Sequence, residues 1–505
     1  MKKKHIRLLA AAVVLAGLIG AFLWLQATPE AEEPVPEAEK IYVTGAPDGP
    51  GPAEIMIRNE HGAFSIINKA TGENAPELTI ESWESFSLDS YALFGAFNAA
   101  RSMEAKQVIS ENPTDEALAA FGLNSPRANV IISSAGEGKT DISFGNDAPG
   151  GEGAYVQRNG VVYLVSPSTA NPFTRPATDY INRAVTEAGA DFEMFDRVVI
   201  TGTLYPEPIV IERSPDTELE AGGMVFGTHR ITSPLEIGVS MKGIEMLQTL
   251  YSITAEQIEA VGDDADTLKK FGLHEPDMSI DVTGPGDGYT FTLRVSKGDD
   301  GHIHLKKNAM PIIYGFHDGM LPWFGAMLFD LMDRTPMMPF IDTVSRVTVK
   351  TPETAWVFDI SGEGNELVIT HGGEELDAKN FRTFYQTLIS AHYTEEIPDY
   401  SPIEPPDDSN TETPESIYEA NDGLEERDEP RSLLAAPDNI PILEIEYQYR
   451  GGAPADTVRF FPGPVRRAII SVNGGKSFYT VSSYVDRVLE DAVKVASGEE
   501  VKSFF

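Results

Sequence analysis

The chain has 505 residues, enough for a few domains at roughly 150 residues each. It carries 39 Lys and Arg against 78 Asp and Glu, a formal net charge of -39, and no Cys. Such acidity repels phosphate backbones and disfavours nucleic-acid binding. The missing Cys excludes disulfides, thiolate metal sites, a cysteine nucleophile and a lipid-modified N-terminal Cys.

Residues 1–7 hold Lys2, Lys3, Lys4 and Arg7 and read as a cytoplasmic tail. Leu8 to Leu25 follows without a charge and ends beside Trp24. As a helix it spans about 27 Å, close to the thickness of a bilayer's hydrocarbon core. The expected partner of residues 8–25 is therefore the lipid bilayer, and the cationic flank puts the rest of the chain outside the cytoplasm. A cleaved signal peptide is the competing reading, although the apolar run is long and Leu25-Gln26-Ala27 fits a cleavage site poorly. Residues 26–53 are rich in Pro, Glu, Ala and Gly and read as an extended acidic stalk.

The remainder is expected to be α+β, built of tandem units that each pair amphipathic helix with antiparallel strands. They are placed at 54–190, 191–340 and, in divergent form, 341–505. Residues 118–126 (LAAFGLNSP) and 268–276 (LKKFGLHEP) repeat at an offset of 150. Leu118, Phe121, Gly122, Leu123 and Pro126 thus match Leu268, Phe271, Gly272, Leu273 and Pro276. The pattern predicts a short helix with an acidic start, a left-handed glycine after its end, a leucine folding back, and a proline that stops continuation.

Upstream of each motif the spacing predicts an amphipathic helix, over Leu88–Ile109 with Leu88, Tyr91, Phe94 and Phe97 inward, and over Ile237–Ile258 with Ile244, Leu247, Tyr251 and Ile258 inward. Downstream come strands and turns, among them Ala154–Arg158, Asn159-Gly160 and Val161–Val165, a strong hairpin signal. The third unit lacks the FGL motif. Its helix is expected at Ala378–His392, its later strands from Ile442 to Val481, and a closing helix at Val485–Val495. In the motif's place lies an acidic, proline-rich insertion, read as disordered over 395–440.

Around the first motif the chain resembles the bacterial "domain of unknown function 4340" family. The residues that carry the likeness are Leu118, Phe121, Gly122, Leu123 and Pro126, then Phe144-Gly145-Asn146, Pro149, Tyr155 and Val162-Tyr163-Leu164-Val165. The likeness is good over about 80–170, weaker over 235–320 and architectural beyond 340. It implies an N-terminally anchored protein associated with ABC-type transport systems. It carries no catalytic residue over to this chain.

Other signals point to turns and packing. Ser133–Thr140 resembles a phosphate-binding loop but has Ser133 for the first Gly and is followed by a strand pattern. Asn473-Gly474-Gly475-Lys476-Ser477 imitates the same loop, again between strands. His302 and His304 share a strand face and, with His317 or Asp299/Asp300, are the weak candidates for a divalent metal; two satisfied histidines on a surface strand are the favoured reading. Asp263, Asp264 and Asp266 read as helix capping, and Asp407-Asp408 as solvated charge. Residues 310–340 are the most apolar outer segment, expected either to pack between units or to offer a docking surface. No cofactor and no catalytic constellation is read. The expected function is a non-enzymatic, membrane-anchored extracytoplasmic accessory or scaffold protein acting with ABC transporter subunits. An envelope polymer- or ligand-binding module is the alternative, and an extracytoplasmic hydrolase comes third.

Overall fold

The computed structural model describes residues 40–70, 75–134, 138–186, 193, 195–214, 228–285, 289–397 and 440–502. The expected tail 1–7, the apolar segment 8–25 and most of the stalk lie outside these residues. Among the described residues no helix is long and apolar enough to cross a membrane. The class is α+β, dominated by three nine-stranded antiparallel sheets. The chain divides into two compact bodies at Asn182/Arg183, and the second body holds two of the sheets.

From edge to edge the first sheet runs Ile41–Tyr42, Glu104–Ser110, Val161–Val165, Ala154–Arg158, Gly138–Asp147, Ala128–Ser134, Pro52–Asn59, Gly62–Asn68 and Leu78–Ile80. The second runs Gln257–Val261, Ile312–Phe316, Ile303–Lys307, Phe291–Lys297, Met278–Thr283, Arg197–Thr201, Ile209–Arg213, His229–Ser233 and Ile237–Gly238. The third runs Glu395–Glu396, Phe478–Val481, Arg467–Val472, Asp456–Pro462, Leu443–Tyr449, Val344–Lys350, Ala355–Ser361, Val368–His371 and Glu374–Leu376. With one edge strand of each set aside (Ile41–Tyr42, Ile237–Gly238 and Glu374–Leu376), the three orders are the same. The third sheet is therefore a full repeat of the other two.

Each sheet carries a long helix on one face. The helices are Ser90–Arg101, Met241–Thr249 and Ala378–Leu388, capped by the side chains of Asp89, Ser240 and Asp377. Their buried stripes recur at i, i+3, i+4, i+7: Leu93/Ala96/Phe97/Ala100, Gly243/Met246/Leu247/Leu250 and Phe381/Phe384/Tyr385/Leu388. A closing helix packs beside each long one: Pro167–Thr174, Leu328–Leu331 and Ser482–Ala496.

Two helix readings need correction. The first helix ends at Arg101, and Glu104–Ser110 is a strand; the second spans Met241–Thr249, with strands at Ile237–Gly238 and Gln257–Val261. Short strands flanking a helix keep the apolar content high, so the run looks continuous. The inward face of the first helix also differs, since Tyr91 is 93% exposed and Phe94 39%. Ala96 and Ala100 are buried instead, because small side chains let the helix sit close to the sheet.

The stalk and the insertion are shorter than expected. Ile41–Tyr42 is an edge strand paired with Ala105 and Glu104, and Val43 is buried. Glu395–Glu396 pairs with Tyr479 and Phe478, and Ile397 is buried. Ile-Tyr-Val and Ile397 supply the apolar side chains that the neighbouring Pro/Glu stretches lack. Residues 398–439 lie outside the described residues.

Candidate functional site

The FGL motifs form caps on the sheet face opposite the long helices. In the first, Thr114 caps helix Asp115–Ala120; in the second, Asp264 caps Ala265–Lys270. Gly122 and Gly272 adopt φ of 71° and 72°. The amides of Leu123 and Gly122 donate to the carbonyls of Leu118 and Ala119, and those of Leu273 and Gly272 to Leu268 and Lys269. This is a Schellman end, and its leucine turns back onto the sheet. Leu123 and Leu273 are buried. Phe121 lies on Tyr155 with ring centroids 4.4 Å apart, and Phe271 meets His304 edge-on at 4.9 Å.

The seat under each cap differs. In the first, Gly145 leaves room for the Phe121 carbonyl, which accepts from the Asn146 amide at 2.8 Å. In the second, the Ser296 hydroxyl donates to the Gly272 carbonyl at 2.9 Å. Strand register puts Phe461 at the equivalent place in the third sheet, through the pairs Ala128↔Phe144, Met278↔Val295 and Leu443↔Phe460. A phenylalanine fills the space that a cap of this kind needs.

His302 and His304 share a corner with Glu259, Asp300, His317 and Glu256. His302 Nδ1 stands 3.8 Å from Glu259 Oε1, His317 Nε2 3.0 Å from Glu256 Oε1, and the rings of His302 and His317 are 4.9 Å apart. His304 is 4% exposed, its Nε2 is 3.9 Å from Asp300 Oδ1, and its Nδ1 has no hydrogen-bond partner among the described residues. Among those residues no three His, Asp or Glu converge as a metal shell. The side chains form a chain of pairs rather than a cage. His304 takes the place that Tyr155 holds in the first repeat.

The two segments that imitate a phosphate loop lie between strands. Ser133 pairs with Lys139 and Ser134 with Gly138, so the Gly-Lys-Thr run enters a strand. No helix N-terminus follows to receive phosphate. Asn473 adopts φ 52°, beside 49° at Asn159 and Asn308, and marks the same hairpin in each sheet. Asp264 caps a helix, and Asp263 pairs with Lys306 at 3.7 Å. Asp407-Asp408 lies outside the described residues.

Many of the large apolar side chains of segment 310–340 are internal. Ile312, Ile313, Phe316, Trp323, Leu328 and Leu331 are buried. Phe329 stacks on Phe478 with centroids 6.2 Å apart, and the Tyr385 hydroxyl donates to the Pro339 carbonyl at 2.9 Å, so the segment joins the second and third sheets. Met310, Met320, Met327 and Phe340 keep 36–46% of their surface.

One groove has no counterpart in the sequence motifs. It has a volume of 710 Å³ and is lined in part by Met241, Ile244 and Met332 and by Lys242, Arg334 and His392. Lys242 is bound to Asp330 at 2.9 Å, and Arg334 lies 4.6 Å over the Phe329 ring. These residues come from separate elements, so no local motif announces them.

The profile of the family described as "Domain of unknown function (DUF4340)" matches residues 79–218 and 243–413, more than half of the chain. The two stretches cover both FGL caps, and the chain belongs to this family. No curated protein matches the chain. No solved structure matches it either.

Proposed function

We propose that the chain is a membrane-anchored extracytoplasmic scaffold that works with an ABC-type transporter and carries out no catalysis of its own. The observation that carries this reading is the join of a cationic tail and uncharged Leu8–Leu25 to three copies of one helix-faced sheet. Repetition of a single fold suits the presentation of surfaces better than the building of one reactive centre. The family resemblance supplies the transporter as partner. The test is crosslinking in intact cells followed by affinity purification of the tagged chain from membranes. The reading expects a permease or ATPase subunit of a transporter to be recovered. Recovery of the chain without either subunit, or its release from membranes by alkaline carbonate, counts against it.

The 710 Å³ groove favours a second reading, in which the chain binds a small envelope ligand. Thermal-shift screening of soluble envelope fragments tests this, with Arg334→Ala as the control. A hit that the variant keeps in full places binding elsewhere.

A further inference from the structure

We propose that His304 makes the second FGL cap an acid-released latch, seated while the imidazole is neutral and opened when it is protonated. The first cap, over Tyr155, holds at both pH values. The inference is independent of the transporter reading, since it concerns one internal contact.

The two caps share their backbone bonds, their left-handed glycine and their buried leucine. They differ in the ring beneath the phenylalanine. Tyrosine keeps its charge state between pH 5 and 8, whereas histidine changes its own in that range. His304 is buried between the cap and the sheet, with Phe271 edge-on above it. Protonation gives Nδ1 a hydrogen that has no acceptor among the described residues. A buried donor left without an acceptor is costly, and tilting the cap away to admit water relieves it.

The charged groups around His304 do not reverse this. Burial holds its pKa below the ordinary 6.5, Glu259 and Asp300 pull it back up, and His302 and Lys270 push it down. Glu259 comes from the edge strand Gln257–Val261, Asp300 and His302 from the adjoining hairpin, and Lys270 from the cap helix itself. Lys306, two residues along the strand, is occupied with Asp263, Lys297 with Asp318, and His317 with Glu256. Since the capped state has the lower pKa, its stability is complete above pH 6.5. It is lost as pH falls through 6.5 toward the capped-state value. Opening uncovers the cluster of Phe271, Leu273 and Ile313, with Leu268 and Ala260 beside it.

The experiment is amide hydrogen exchange of the full chain at pH 8.0 and 5.5, expressed as protection factors so that intrinsic rates cancel. The expected result is a fall of at least about threefold at Gly272 and Leu273 on acidification. Gly122 and Leu123 should stay constant and serve as the internal reference. His304→Tyr should abolish the fall, and His304→Phe, which keeps an edge-on ring, should do the same if tyrosine fits badly. An unchanged fall in both variants, an equal fall at Gly122 and Leu123, or no fall in the native chain overturns the proposal.

Discussion

The glycine beneath the first cap gives a sharp test of how the cap is held. A Cβ at Gly145 lies 2.1 Å from the Phe121 carbonyl oxygen and 3.1 Å from two atoms of the Leu123 side chain. The closest atom is backbone, so Gly145→Ala has to displace the cap. The smallest loss is the Asn146–Phe121 hydrogen bond, worth about 1 kcal/mol. The largest adds the burial of Leu123, about 2 kcal/mol, and the Phe121–Tyr155 stack, about 1 kcal/mol. An expected cost of about 1–4 kcal/mol lowers the protection of the Leu123 and Asn146 amides by roughly fivefold to several hundredfold. Hydrogen exchange resolved by residue reads this, and Gly272 and Leu273 of the second cap should not respond. Phe461→Ala, at the matching place in the third sheet, should leave both caps unaffected. A change at Leu123 and Asn146 of less than about threefold refutes the claim that Gly145 is there to seat the cap.

The remaining tests probe the helix faces, a buried charge and the hairpins. Tyr91→Ser should fall within about 0.5 kcal/mol of the native stability, whereas Phe97→Ala should lose about 3–5 kcal/mol; pulse proteolysis of the first body compares them, and a larger loss from Tyr91→Ser reinstates the outer face as core. Asp491 is fully buried and its Oδ2 accepts from Arg487 at 2.7 Å and from the Thr387 hydroxyl at 3.2 Å. Asp491→Ala should therefore cost about 3 kcal/mol, against about 1 kcal/mol for Thr387→Val; denaturant unfolding followed at the Ser482–Ala496 helix checks the order, and equal losses contradict it. Asn473→Gly adopts φ 52° freely and loses only the acceptor of the Thr457 amide, whereas Asn473→Val loses that acceptor and also forces a β-branched residue to φ 52°. That variant should lose about 2 kcal/mol, and the melting temperature of the second body measures the difference.

What is legible in the sequence is what neighbouring residues decide among themselves. The FGL caps need only a short helix, a left-handed glycine and a leucine two positions after the phenylalanine, all within nine residues. The third repeat's Phe381/Phe384/Tyr385/Leu388 stripe is plain from spacing because every inward residue is large. The first helix defeats the same reasoning because Ala96 and Ala100 do the burying while Tyr91 and Phe94 supply the apolar periodicity. Long-range pairs are out of reach. The hydroxyls of Thr44 and Thr186 accept from the amides of Met103 and Ile253 at 2.7 and 3.0 Å, fixing how the chain enters the first two sheets. A Val-Thr pair is too common to signal a partner that far along the chain.

The replacement of Tyr155 by His304 is hidden for a more specific reason. The FGL motifs repeat at 150, and carrying that offset forward pairs Tyr155 with Leu305. Leu305 faces the long helix, so the comparison sets an outer residue against an inner one. The sheet register corrects it, because Phe144↔Val156 and Val295↔Leu305 are the matching pairs. Tyr155 then aligns with His304, one residue earlier than the fixed offset gives. In a strand a slip of one residue exchanges the two faces. The differing turn between the preceding strands is enough to make one shared aromatic seat read as two unrelated residues. A metal reading of His302 and His304 rests on the same oversight, since it takes for a surface ligand the ring on which the second cap is built.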